Sequence, residues 1–123
     1  MADFRKLDVW QKAHSLALDA HRVAQRIRGA KYVSLRSQLI KAAMSVPANI
    51  VEGREQQSEK DFARFLRYAI GSASELEYHL QIGRDMGLIL ESDFESLLEQ
   101  LTRVRKMLHG LIGSLTAVHH QSR

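Results

Sequence analysis

The sequence predicts an all-α protein, an antiparallel up-and-down four-helix bundle made by a single domain over residues 1–123. Three observations carry that reading. Apolar or small residues recur at spacings of three and four along four separate stretches, the period of one helix face. The links between these stretches are short and polar, as antiparallel neighbours in a bundle require. No stretch alternates apolar and polar residues between turn signals, the pattern of a half-buried strand.

The first helix is predicted over about 8–28, where Trp10, Ala13, Ala17, Ala20, Ala24 and Ile27 form a seam. Asp8 stands where an N-cap belongs, with Gln11 three residues on, and Gly29 supplies a stop. The second, over about 34–52, places Leu35, Leu39, Ala43, Val46 and Ile50 on one stripe and ends at Gly53. Pro47 lies inside it and removes the donor for the Ala43 carbonyl, so a kink at Pro47 is expected, with two shorter helices as the alternative.

A capping box, Ser58-Glu59-Lys60-Asp61, opens the third helix over about 58–86, with Phe62, Phe65, Leu66, Ala69, Ala73, Leu76 and Leu80 as its core face and Gly87 at its end. Gly71 and Gly83 fall inside this helix, where small size lets helices approach. Ser92 and Glu95 repeat the box before a fourth helix over about 92–118, whose seam runs Phe94, Leu97, Leu101, Val104, Leu108, Leu111, Leu115, Val118. His119 to Arg123 carry no seam and are expected to fray.

A chain of 123 residues can bury a self-sufficient core. With no cysteine, zinc ribbons, iron–sulfur clusters, disulfide staples and thiol nucleophiles are excluded. No apolar run approaches a membrane span, and the N-terminus lacks the apolar stretch of a signal peptide, so a cytoplasmic location is expected and no membrane partner. The formal charge of +4 is uneven: residues 1–53 hold nine basic and four acidic side chains. That asymmetry points toward a polyanion partner, against the plainer reading of a solvated charged face.

Apolar residues remain after one seam is given to each helix. Leu98, Met107 and Ile112 form a second stripe on the fourth helix, and Val9, Leu16 and Val23 do so on the first. Such stripes point to contact with other subunits, the alternative being a wider core-facing side.

Catalytic and metal signatures are lacking. The six histidines show no metal-ligand spacing, and no glycine-rich phosphate loop occurs. Glu75 and His79, four apart, read as a local ion pair rather than a proton-transfer couple. Neither a metal nor any other cofactor is expected. The unusual passage is Ala42 to Gly53, where Ser45, Asn49 and Glu52 fall on one line around Pro47. Gly71, Ser72, Ser74, Glu75 and Glu77 give the third helix a polar line of its own. Antiparallel packing would bring the two lines together as a network that specifies the fold, with the Ala43 carbonyl as one acceptor, or as a ligand site.

These passages carry a resemblance. Leu7-Asp8-Val9-Trp10-Gln11-Lys12-Ala13, then Ser45-Val46-Pro47-Ala48-Asn49-Ile50-Val51-Glu52-Gly53, then Gly71-Ser72-Ala73-Ser74-Glu75-Leu76-Glu77, look like the four-helix-bundle proteins of intervening sequences in bacterial 23S ribosomal RNA genes, over roughly residues 4–115. The resemblance implies a bundle that assembles as a ring-shaped homopentamer with a central channel, without known enzymatic activity. It assigns Ser45, Pro47, Asn49, Glu52, Gly53, Gly71, Ser72, Glu75 and Glu77 to structural or assembly positions. The family is also similar to the accessory variability determinant of diversity-generating retroelements, a basic pentameric barrel that binds nucleic acid and a reverse transcriptase.

Three functions follow as expectations. In the first, the ring is a basic module for RNA or DNA, with Arg22 and Arg26 on the first helix and Arg103 and Lys106 on the fourth as leading phosphate contacts. The aromatic residues sit on seams, so phosphate or shape recognition is expected rather than stacking on bases. In the second, the ring is a scaffold for a protein partner. An enzyme comes last, because Glu52, Glu75 and His79 lack a nucleophile, a metal or an anion hole.

Overall fold

A computed structural model describes residues 3–121, with side chains described through residue 117. The chain forms α1 (Asp8–Gln25), α2 (Val33–Arg54), α3 (Glu59–Asp85) and α4 (Glu91–Gln121), with single 3₁₀ turns at Phe4–Lys6 and Ala30–Tyr32. No strand occurs among the described residues. The helices pack antiparallel in the order α1, α2, α3, α4 around the bundle, each against its two neighbours, and the diagonal pairs do not approach closely.

The helix starts divide by capping chemistry. Ser58 caps α3 as the sequence predicts, its hydroxyl accepting from the Asp61 N–H at 3.1 Å. Asp8 is not an N-cap: Leu7 takes that position in extended conformation, because the preceding turn runs directly into the helix. Asp3 caps that turn instead, and the Arg5 backbone N–H holds its carboxyl below the usual carboxylate range. Ser92 likewise falls inside α4, which begins one residue earlier at Glu91.

At the helix ends, Gly87 follows the α3 cap with φ 75° and lets the Leu88 N–H reach the Gly83 carbonyl at 2.8 Å. Gly29, at φ 107°, lies beyond the end of α1 and turns the chain into the short link before α2. The fourth helix continues through Gln121, past the predicted end. The expectation of fraying for Ser122 and Arg123, and the seam position of Val118, fall outside the described residues or side chains.

One helix runs through Pro47, so the alternative of two shorter helices is excluded. Pro47 itself is buried in the core face with Ala43, Val46 and Ile50. The Asn49 carboxamide brackets it, donating to the Ser45 carbonyl at 2.9 Å and to Ser45 Oγ at 3.0 Å. The Asn49 amide therefore serves Ser45 and not the Ala43 carbonyl.

Small residues on three helices face large ones. Ala13, Ala17, Ala20 and Ala24 of α1, Ala42 and Ala43 of α2, and Ala69 and Ala73 of α3 are buried alongside Leu39, Leu66, Leu76, Leu80, Leu101 and Leu108. The second stripe predicted on α1 belongs to this core: Val9, Leu16 and Val23 are buried. An α1 seam of alanines alone is too thin to fill the bundle, so a broader face turns inward. On α4 the extra stripe of Leu98, Met107 and Ile112 is half-buried against the core. Among the described residues no helix is long and apolar enough to cross a membrane.

Candidate nucleic-acid interface

The groove between α1 and α4 collects most of the predicted basic contacts and orders them by charge. Antiparallel packing sets Arg26 beside Asp93, at 2.8 Å, and Gln100 beside Asp19, at 3.1 Å. Arg22 pairs with the same Asp19. Both arginines placed first by the sequence thus carry a carboxylate partner.

Lower in the same groove the balance changes. A cleft of about 250 Å³ is lined by Lys12, Ser15, Asp19, Gln100, Arg103 and Val104. Lys12 and Arg103 enter it from opposite helices, and neither forms an ion pair or hydrogen bond among the described residues. Lys106, one turn along α4, forms no ion pair among the described residues and lines a neighbouring shallow depression with Arg103, Glu95 and Glu99. Asp19, the one carboxylate in the lining, is engaged by Arg22 and Gln100, which leaves two unpaired cations and a hydroxyl in the cleft, a set that suits a phosphate.

Lys12, Ser15 and Gln100 were not singled out by the sequence. Their signal was the antiparallel register. Residues of α1 and α4 that lie side by side have numbers adding to about 119, as Arg26 with Asp93 and Asp19 with Gln100 do, which brings Lys12 near Arg103 and Lys106.

The motif residues lie on the other side of the bundle and divide into two groups. Ser45 Oγ meets Ser72 Oγ at 2.8 Å, a polar bolt between α2 and α3 extended by Asn49. Gly53 is buried where α2 crosses the start of α3. A Cβ there would stand 2.9 Å from the Phe62 ring and 3.0 Å from Phe65 Cβ. Glu77 reaches Arg105 of α4 at 2.6 Å. These positions, with Pro47, have reasons within the chain.

The second group makes no contact between helices among the described residues. Glu52 is exposed and extends the Ser45 line without joining its hydrogen bonds. Glu75 Oε1 lies 3.7 Å from His79 Nε2, the ion-pair placement that the spacing predicts but too long for a hydrogen bond, and that nitrogen is buried without a hydrogen-bond partner. Gly71 corrects an expectation outright. It points to open space, with nothing within 4 Å of an added Cβ, so helix approach within the chain does not require it. At Gly83 an added Cβ would stand 2.5 Å from Ile89 Cδ1, in the link that follows α3 rather than on a neighbouring helix.

Gly71→Ala is therefore expected to raise stability, by about 0.5–1 kcal/mol, as an exposed mid-helix glycine exchanged for alanine. Urea denaturation of the isolated chain checks this, and a loss of stability would show that another surface presses on Gly71.

Among the described residues no group of three or more His, Asp or Glu side chains is placed to hold a metal ion. The molecule is thus an all-α bundle with a charged surface groove between α1 and α4 and a polar helix–helix seam on the opposite side, between α2 and α3.

The model of the 23S rRNA-intervening sequence protein family matches residues 5–110, and the chain belongs to that family. It is similar to a crystal structure of a protein with unknown function from the S23 ribosomal protein family of Bacteroides thetaiotaomicron, with 27% sequence identity and a TM-score of 0.79. That likeness covers 85% of this chain and 97% of the other. No curated protein matches the chain.

Proposed function

We propose that this protein is a non-enzymatic, cytoplasmic, self-assembling bundle that binds the phosphate backbone of RNA or DNA through the α1/α4 groove. The observation that carries the reading is the Lys12–Arg103 cleft, where two cations enter from opposite helices and neither is ion-paired, the one carboxylate in the lining, Asp19, being engaged by Arg22 and Gln100. Lys106 extends the same basic strip. Arg22 and Arg26 sit upstream, screened by Asp19 and Asp93, and steer rather than grip.

Repetition supports the reading physically. One cleft offers only two or three phosphate contacts, which is weak, but a ring of copies multiplies them on one polyanion. The second reading, a ring that docks a protein such as a reverse transcriptase without nucleic acid, draws on the exposure of Met44, Tyr78 and Leu90.

The test is fluorescence anisotropy of a structured RNA and a matched DNA duplex at about 50 and 200 mM salt, the range over which phosphate contacts lose most affinity. The intact protein is expected to bind at the lower salt and weaken at the higher. Lys12→Glu with Arg103→Glu is expected to lower affinity at least about tenfold and to flatten the salt slope, with Arg22→Glu and Arg26→Glu changing it less. No binding at the lower salt, or equal affinity in the Lys12 and Arg103 variant, would turn the reading to the protein partner.

A further inference from the structure

A cavity of about 400 Å³ opens between the start of α2 and the end of α3, a size within the range of small-molecule sites. Its lining follows the helix register. Gln38 with His79, Leu35 with Ile82, and Lys31 with Met86 are pairs whose numbers add to the same total as Ser45 and Ser72, so the cavity continues the α2/α3 seam about two turns past that bolt.

The three levels differ in chemistry. Leu35 and Ile82 make the middle apolar. The Gln38–His79 end carries a carboxamide and an imidazole, and the Lys31 end carries an ammonium with the Tyr32 and Ser34 hydroxyls beside it. None of these five polar side chains makes a hydrogen bond among the described residues. His79 Nε2 is buried, and Lys31 Nζ lies 5.2 Å from the centre of the Tyr32 ring without an ion pair.

The polar groups just outside the cavity are satisfied within the chain. Arg36 donates to the Ile27 and Gly29 carbonyls, Gln81 to Asp85 and Arg84 to Glu91. Glu75, near His79, does not line the cavity, and no other carboxylate does. The cavity therefore gathers one unpaired positive charge, an apolar middle and unpaired neutral polar groups at the far end.

We propose that this cavity binds a small aromatic carboxylate bearing a hydroxyl opposite its carboxylate. The carboxylate takes charge-assisted bonds from Lys31 and Ser34. The ring lies on Leu35, Ile82 and Met86, and the far hydroxyl meets Gln38 and gives His79 Nε2 its missing partner. The spacing agrees, because the helical turn from Ser34 to Gln38 rises about 6 Å, roughly the span of a benzene ring from a carboxylate to a hydroxyl opposite it. One ammonium balances one negative charge, which favours a carboxylate over the nearly double charge of a phosphate ester. The site is separate from the α1/α4 groove and does not depend on nucleic-acid binding.

The experiment is titration of the intact chain with para-hydroxybenzoate, read from backbone amide resonances by nuclear magnetic resonance. Saturable shifts are expected at Ser34, Gln38 and His79, with half-saturation at about 1 mM or below. Benzoate, which lacks the hydroxyl, and para-hydroxybenzyl alcohol, which lacks the charge, are each expected to bind at least about fivefold more weakly. Lys31→Gln, at an exposed position, is expected to weaken both carboxylates about tenfold and to leave the alcohol unchanged. Gln38→Leu is expected to remove the preference for para-hydroxybenzoate over benzoate.

Absence of a saturable shift at these amides overturns the proposal, as does an alcohol that binds as well as the carboxylate. A Lys31→Gln protein with the affinity of the intact chain overturns it too. Phenyl phosphate that binds more tightly than benzoate overturns the choice of a carboxylate.

Discussion

Leu76→Ala is expected to cost about 4 kcal/mol of stability, toward the upper end of the range for burying an empty leucine volume. Leu76 is wholly buried on α3, between the α2 and α4 seams. The cost of such a cavity depends on how far the surroundings can collapse into it. The Ser45–Ser72 register sets Ala42 of the neighbouring α2 beside this part of α3, and an alanine has no longer side chain to swing inward. A loss of that size is a large share of the roughly 5–15 kcal/mol that holds a domain folded. Urea denaturation with an unchanged m-value checks it, and a loss below about 2 kcal/mol would mean that the helices close up after all.

Gly53→Val is expected to destabilise by about 2 kcal/mol through overpacking, despite the removal of a glycine from a helix. The contact is not with a flexible chain end alone. Phe65 Cβ, 3.0 Å from the added Cβ position, is tied to the α3 backbone, and the Phe62 carbonyl stands 3.3 Å away. Relief requires α2 and α3 to part at their junction, which also opens the seam bolted by Ser45 and Ser72. The comparison with Gly71→Ala is informative, since the two glycines belong to motifs of the same family and are expected to respond with opposite signs. Thermal melting of both variants beside the intact chain tests the contrast; a Gly53→Val protein as stable as the intact chain would show that the junction gives freely.

The fold was legible because helix periodicity is local. The seams of α3 and α4 named nearly every buried residue of those helices, since packing rewards the same spacing of three and four that the sequence displays. Asp8 and Ser92 misled because a cap depends on where the preceding backbone turns, and the 3₁₀ turn ahead of α1 is not announced by composition. Val9, Leu16 and Val23 were assigned outward because the width of a buried face depends on neighbouring side-chain volume, which one helix does not reveal. The candidate groove was half legible. Arg22, Arg26, Arg103 and Lys106 stood out as basic pairs within their own helices, but Asp19, one turn earlier on α1, neutralises Arg22, and Asp93 of α4 neutralises Arg26 across the groove. Lys12 became notable only when antiparallel register put it opposite Arg103.

Three of the four seams join helices consecutive in the chain. The fourth, between α1 and α4, ties residues 67 and 81 positions apart, at Arg26–Asp93 and Asp19–Gln100. Contacts of such separation are the slowest to form, because closing a long loop must precede any reward. The α1/α4 seam is thus expected to shut last during folding, an order that hydrogen exchange at its amides would read. The Lys12–Arg103 cleft exists only once that closure is complete. On the proposed reading, a phosphate chain bound there would clasp the two ends of the molecule together and raise the temperature at which they separate.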